Sequence, residues 1–304
     1  MTAAAAHLLH PLGAMFAYPF FRHAFVAGTV VAIAAGAVGY FVVLRGLAFA
    51  AHALSHVGFA GAAGAVVIGI PAVDGLLAFT GAGAVAMGLL GDRLRGRDVS
   101  IGIVLAWTLG LGVLFMSLYH GNATGAYALL FGEILGVSPA SLIVTTVASV
   151  AALAALAVAY RPLLYASIDP DGAFVSGVPV RIVGVVFMLV LAIAVSAAAQ
   201  VVGVLLIFTL LVAPAAVADR LTARPLLAIL LAVVCALGFT WAGLVCAFFV
   251  PFPVSFFITS FAFGTYVVVR CLPQPRFAFN ARKLPWPRFR RRRNSGTHAS
   301  RSPF

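Results

Sequence analysis

The chain has 304 residues, of which 63% are hydrophobic and 9% are charged, and its mean hydropathy is +1.14. Soluble globular proteins carry about a quarter charged residues, so this composition excludes a water-facing globule and predicts a polytopic membrane protein. The formal net charge of +12 does not indicate a nucleic-acid partner, because the basic residues lie in short loops and a C-terminal tail. That distribution is typical of membrane topology and of contact with a lipid bilayer.

Candidate membrane spans follow one another through most of the chain. A span needs about 20 mostly apolar residues, and segment 24–271 contains a series of them, which predicts one all-α transmembrane domain. Segment 1–23 has no basic region before its apolar stretch, so we expect an uncleaved extracytoplasmic segment. Segment 272–304 is a basic tail that we expect to be disordered. Nine spans are predicted, and eight also fit because the last is short and the sixth and seventh are nearly continuous: 24–44, 46–70, 72–91, 101–119, 140–160, 182–199, 201–218, 226–250 and 254–270.

The second candidate span carries two histidines and no other strongly polar group. His52 and His56 are four residues apart, which places both imidazoles on one helical face and within reach of a single divalent ion. Alternatively, each ring donates a hydrogen bond to a carbonyl or hydroxyl of a neighbouring helix. Ionisable residues within spans are rare and mark ion or substrate pathways, so the pair is a candidate metal contact. The sequence does not identify the further ligands.

The basic residues indicate how the spans are oriented. If nine spans cross the membrane and the N-terminus is outside, Arg22 is the one basic residue that falls on the outer side. Arg45, the loop that follows the third span, the loop 161–181 and the C-terminal tail all fall inside. We therefore predict a multi-pass protein with its N-terminus outside and its C-terminus inside.

The sequence contains no pattern for catalysis or for ATP hydrolysis. It has no HExxH zinc-protease motif and no GxxxxGK[ST] phosphate-binding loop, and its only lysine is Lys283. We predict that the chain is not an enzyme and that any ATP hydrolysis takes place on another subunit.

Two alternative functions stay open. One is a secondary carrier, although the seven acidic residues lie in loops or near span ends. The other is an intramembrane metalloenzyme that uses the histidine pair to activate water.

A short helix is predicted between the fifth and sixth spans, on the inner side. Asp169 can cap a helix whose first residue is Pro170, and Gly177, followed by Pro179, can end it. Such a helix of about two turns would lie along the membrane surface.

Three stretches together resemble the zinc/manganese-type permeases of ABC importers. The stretch FVVLRGLAFAAHALSHVGFAGAAG (41–64), which includes most of the second span, is similar to the signature of that family's second span. The inner segment IDPDGAFVSGVPV is similar to the family's coupling segment, and VVGVLLIFTLLVAPAAVA (201–218) is similar to its Gly- and Pro-containing span. The resemblance runs from about residue 20 to residue 270 and depends on the order and spacing of these stretches.

The resemblance implies a fold like that of type II ABC importers and a role as the permease subunit in a bacterial-type plasma (inner) membrane. It implies a homodimer or a paired permease, a cytoplasmic ABC ATPase that binds ATP, and an extracytoplasmic protein that delivers Zn²⁺, Mn²⁺ or Fe²⁺. The metal ion is then a transported substrate, and no permanently bound cofactor is expected. Asp169, Pro170, Asp171 and Gly177 match the segment that docks on the ATPase.

Position 52 departs from the family motif, which usually has Asp four residues before the histidine that matches His56. Carboxylates suit Mn²⁺, whereas imidazole suits Zn²⁺ and other borderline ions. The resulting hypothesis is an importer that prefers Zn²⁺ over Mn²⁺ or Fe²⁺, with His52 and His56 contacting the ion in transit.

Overall fold

The computed structural model describes residues 15, 17–90, 97–119, 134 and 136–272, and within this part the regular structure is entirely helical. The helices are α1 (Pro19–Leu44), α2 (Ala48–Val67), α3 (Ala72–Leu90), α4 (Arg97–Leu118), α5 (Pro139–Ile168), α6 (Pro170–Val175), α7 (Val180–Val202), α8 (Val204–Leu221), α9 (Pro225–Phe249) and α10 (Val254–Cys271). The predicted all-α membrane class is confirmed. The basic tail beyond residue 272 lies outside the described residues.

Each of the nine predicted segments corresponds to a separate helix of the described chain. Eight helices are long and apolar enough to cross a membrane in this part of the protein, namely α1 to α5, α7, α9 and α10. The ninth, α8, has 18 residues and contains Pro214. Gly203 separates it from α7 with φ 83° and ψ 156°, a backbone conformation that L side chains rarely adopt. The sixth and seventh segments are therefore two helices rather than one.

Most helix boundaries differ from those predicted by a few residues, and two differ by five or more. Helix α1 begins at Pro19, inside the predicted N-terminal segment, with the proline in the first turn where its missing N–H costs nothing. Helix α5 continues through Pro162 to Ile168, past the predicted end at 160. Leu163 and Ala166 are buried beyond the proline, so packing against the bundle holds this last part in helical form.

Glycine ends the first helix in a hydrogen-bonded turn. The N–H of Leu47 donates to the carbonyl of Val42 at 2.8 Å and that of Gly46 to Val43 at 3.1 Å, while Gly46 has φ 65°. This is the Schellman arrangement, which satisfies carbonyls that a helix end leaves without partners. It connects α1 rigidly to α2 through three residues.

The helices differ in how far they lie inside the bundle. Helices α1, α2 and α7 are largely buried, whereas α4 and α10 expose most of their apolar surface. Small residues allow the buried helices to approach closely: a Cβ on Gly36 of α1 would lie 2.7 Å from the Cα of Val233 in α9. Between α3 and α7, the buried hydroxyls of Thr80 and Ser196 form a hydrogen bond of 2.7 Å. The two histidines therefore lie on one of the innermost helices.

One end of the bundle carries α6, and we call it the α6 end. Helix α1 ends there, because Arg45 donates a hydrogen bond to Ser167 in the last turn of α5. Helix α9 begins there, because α1 and α9 are antiparallel, with Gly28 beside Thr240 and Gly36 beside Val233.

Candidate functional site

His52 and His56 lie together on α2, as predicted. Their ring centroids are 4.7 Å apart and the rings are nearly perpendicular, at 84°. Both side chains are half-buried. The rest of the helix is mostly alanine, glycine and other small or apolar residues, so the two imidazoles are its only strongly polar side chains. The structure thus brings together the pair that the sequence singled out.

The surroundings of the pair bear on its alternative role as a bridge between helices. Nδ1 of His52 and Nδ1 of His56 are both buried, and neither has a hydrogen-bond partner in the described part of the chain. The polar group nearest in sequence, Ser55, donates instead to the backbone carbonyl of His52 at 2.7 Å. A buried nitrogen without a partner costs free energy, and an incoming cation would supply the missing interaction. The hydrogen bonds that a bridging role requires are not present among these residues.

An aromatic side chain from α8 lies against the pair. The ring of Phe208 is 5.2 Å from that of His52, in an edge-on arrangement at 72°. Phe208 also lines a half-open, mostly apolar groove of about 340 Å³ between α8 and α10. Its other lining residues are Thr209, Val212, Ala213, Ala216, Thr259, Phe263 and Tyr266. Phe208 therefore separates His52 from an open space, a role that sequence analysis missed because one phenylalanine in an apolar run carries no signal.

The donor set of the pair is limited to two imidazole groups. In the ranges that the structure describes, no group of three or more His, Cys, Asp or Glu residues is placed to hold a metal ion. Nitrogen ligands of this kind suit Zn²⁺, Fe²⁺ and other borderline ions.

The predicted short helix is present as α6. Oδ1 of Asp169 accepts a hydrogen bond from the N–H of Gly172 at 2.9 Å, and Pro170 occupies the first turn. At the other end, the N–H of Val178 donates to Ala173 at 2.9 Å, and Gly177 has φ 83°. Both ends of α6 are therefore closed by the capping chemistry expected from the sequence.

Helix α6 presents an apolar surface outside the bundle. Ala173 is fully buried against the bundle, but Phe174 is 75% exposed and Val175 is 86% exposed. Ile168, just before the helix, is also exposed, as are the carboxylates of Asp169 and Asp171. Exposed apolar side chains grouped in this way mark interaction surfaces.

Comparison with known proteins relates the chain to one transport family and to membrane proteins of metal transport systems. The pattern of the ABC 3 transport family matches residues 17–272. The chain is 31% identical over 187 residues to the "Manganese transport system membrane protein MntC" of Halalkalibacterium halodurans, which covers 61% of this chain and 64% of that protein. It is 30% identical over 184 residues to the "Manganese import system permease protein ScaB" of Streptococcus parasanguinis, covering 60% and 65% respectively. The matches thus span slightly less than two thirds of these two relatives.

Solved structures agree in fold. A chain of "PsaBC from Streptococcus pneumoniae in complex with Fab" superimposes with a TM-score of 0.79 at 26% identity, covering 89% of this chain and 98% of the other. A second solved structure, "An inward-facing conformation of a putative metal-chelate type ABC transporter", gives a TM-score of 0.61 at 16% identity and covers 81% of this chain and 84% of the other. The second likeness concerns the fold alone.

Proposed function

The chain belongs to the ABC 3 transport family, and we propose that it is the membrane-spanning permease subunit of an ATP-driven importer for divalent metal ions. The observation that carries this proposal is the pair of imidazoles on the buried helix α2, with both Nδ1 atoms buried and without partners among the described residues. His52 also packs against Phe208, so the pair lies where α2 meets α8.

The chemistry of the pair suits an ion that passes through. Structural zinc sites are almost always closed by four protein ligands, whereas two imidazoles leave coordination positions open for water or for other groups. An ion held in this way can leave, as transport requires. His52 and His56 must be neutral to bind, so binding of the metal competes with protonation.

The cargo is a divalent transition metal, and its identity is the finer question. The two relatives described above are named as manganese transport and import proteins. Their names give no support to the preference for Zn²⁺ over Mn²⁺ or Fe²⁺ that the sequence suggested. The chemical argument for that preference is the imidazole at position 52 in place of a carboxylate. The preference for Zn²⁺ stays a prediction. Measuring uptake of Zn²⁺ and Mn²⁺ in direct competition would test it.

The energy source in this proposal is an ABC ATPase that docks on α6. The exposed side chains of Phe174 and Val175, with Asp171 beside them, supply an apolar surface with a charged rim at the α6 end. This combination is typical of interfaces between protein subunits. Asp169 and Gly177 act by closing the ends of α6, so that the docked helix moves as one piece.

The α6 end faces the cytoplasm in this proposal. Arg45 ends α1, Arg181 lies at the start of α7 and Arg224 precedes α9, so all three lie at the α6 end. Arg22 lies in the first turn of α1, at the opposite end. Basic residues concentrate on the cytoplasmic side of membrane proteins. The opposite face would receive a metal-binding delivery protein, and a second permease subunit would complete the pathway in the bacterial plasma membrane.

The test is ATP-dependent metal uptake by vesicles that contain the chain with its ATPase. Uptake of ⁶⁵Zn and ⁵⁴Mn is compared between the wild type and His56→Ala at matched abundance. His23→Ala is the control, because His23 lies in α1, near its first turn. We expect uptake to be lost in His56→Ala and kept in His23→Ala. If His56→Ala takes up both metals as well as the wild type and His23→Ala do, the pair does not contact the metal.

A further inference from the structure

Arg45 contacts two helices besides its own at the joint between α1 and α2. Its Nη1 donates a hydrogen bond of 3.2 Å to Oγ of Ser167 in α5. Its Cζ lies over the ring of Phe187 in α7, 5.8 Å from the ring centre. A Cβ added to Gly184, one turn earlier in α7, would lie 3.7 Å from Nη2, so the guanidinium passes close to the α7 backbone.

These two helices are the ones that flank α6. Ser167 lies two residues before Asp169, which caps α6, and Phe187 lies in the first half of α7, which follows α6 in the chain. Ser167 is itself tied to its helix through a hydrogen bond to the carbonyl of Leu163. One guanidinium is therefore held by the element before α6 and by the element after it.

The connections on either side of this contact are stiff. Helix α6 is closed by the Asp169 cap and by the turn at Gly177, so it joins α5 to α7 through a short segment whose two ends are both hydrogen-bonded. On the other side, Arg45 is followed by the turn through Gly46, in which hydrogen bonds of 2.8 and 3.1 Å tie Leu47 and Gly46 to carbonyls of α1, and α2 begins directly after Leu47. His52 lies four residues after Ala48, the first residue of α2, or about 6 Å along that helix.

We propose that Arg45 is a positioning residue that transmits displacement of α6 to α2, and so to the histidine pair. This inference rests on the proposed function, since the displacement is attributed to an ATPase docked on α6. A guanidinium suits the role because its planar fork can donate to a hydroxyl while its face stacks on an aromatic ring. Lysine keeps the charge but cannot reproduce both contacts.

The experiment measures metal ions transported per ATP hydrolysed by the full complex in lipid vesicles. The variants are Arg45→Lys and Ser167→Ala, with Arg224→Lys as the matched control, because Arg224 lies at the same end of the bundle and is exposed. We expect ATP hydrolysis to continue in Arg45→Lys while metal transported per ATP falls by about fivefold or more, the usual scale of coupling between sites. Ser167→Ala should show a smaller fall, and the double variant should be no worse than Arg45→Lys alone.

A second measurement does not depend on transport. Hydrogen–deuterium exchange in α2 is compared with and without ATP and vanadate in the same complex. We expect a nucleotide-dependent change in α2 that is lost in Arg45→Lys and kept in Arg224→Lys. If the wild type shows this response but no metal uptake, the proposed function fails and the inference about Arg45 stands. If Arg45→Lys keeps both the transport ratio and the exchange response, or if the wild type shows no response in α2, the inference is overturned.

Discussion

Substitution of Asp169 tests whether a folded α6 is what the partner subunit recognises. The Asp169 carboxylate accepts the hydrogen bond from the N–H of Gly172 at 2.9 Å, and Asp169→Ala removes it. Loss of such a cap costs about 1 kcal/mol. Helix α6 has only six residues, and helices this short have little stability of their own. The cap is therefore a large part of what holds the helix.

The magnitude follows from this free energy. About 1 kcal/mol is a factor of about five in the equilibrium between folded and frayed α6. If the ATPase binds the folded helix, its apparent affinity for the permease should fall by up to about fivefold in Asp169→Ala. Asp169→Asn is the matched control, because Asn caps helices as well as Asp does while the charge is removed. The assay is the dissociation constant of the ATPase from permease in nanodiscs.

Two results would refute this reasoning. Equal affinity in Asp169→Ala and the wild type would mean that the folded state of α6 does not limit docking. Equal losses in Asp169→Asn and Asp169→Ala would mean that the charge of Asp169, rather than its cap, is recognised.

Three further predictions concern packing and selectivity. Gly36→Ala should lower the unfolding temperature, because its Cβ would lie 2.7 Å from the Cα of Val233 and overpacking costs about 1–3 kcal/mol; Gly110→Ala, with no atom within 4 Å of the new Cβ, should not lower it. Thr80→Ala and Ser196→Ala should each destabilise the bundle, and a double-mutant cycle in thermal unfolding should give a coupling of about 0.6 kcal/mol through their 2.7 Å hydrogen bond. A coupling of zero would contradict that bond. His52→Asp should raise the ratio of ⁵⁴Mn to ⁶⁵Zn uptake, because a carboxylate favours the harder ion; a wild type that already prefers Mn²⁺ would contradict the Zn²⁺ preference.

Local sequence signals predicted the parts of the structure that depend on neighbouring residues. Asp169, Pro170 and Gly177 mark the start and the end of α6 because capping is a property of a few consecutive residues. The spacing of His52 and His56 fixed their shared face for the same reason. Apolar segments located the nine long helices because membrane thickness sets their length.

Contacts between distant segments could not be predicted in this way. Arg45 and Ser167 are 122 residues apart in the chain, and the meeting of their side chains depends on how three helices pack. Phe208 reaches His52 for the same kind of reason. The continuation of α5 through Pro162 also depends on tertiary packing, which outweighs the local preference of proline for ending a helix.

In the proposed function, a divalent metal ion contacts His52 and His56 on its way through the bundle. The most direct measurement is metal-stimulated ATP hydrolysis by the permease with its ATPase and delivery protein, titrated with Zn²⁺ and with Mn²⁺. We predict that stimulation is lost in His56→Ala while hydrolysis without metal is unchanged, and that His23→Ala behaves as the wild type. Full stimulation in His56→Ala, with the same concentration dependence as the wild type, would contradict the claim.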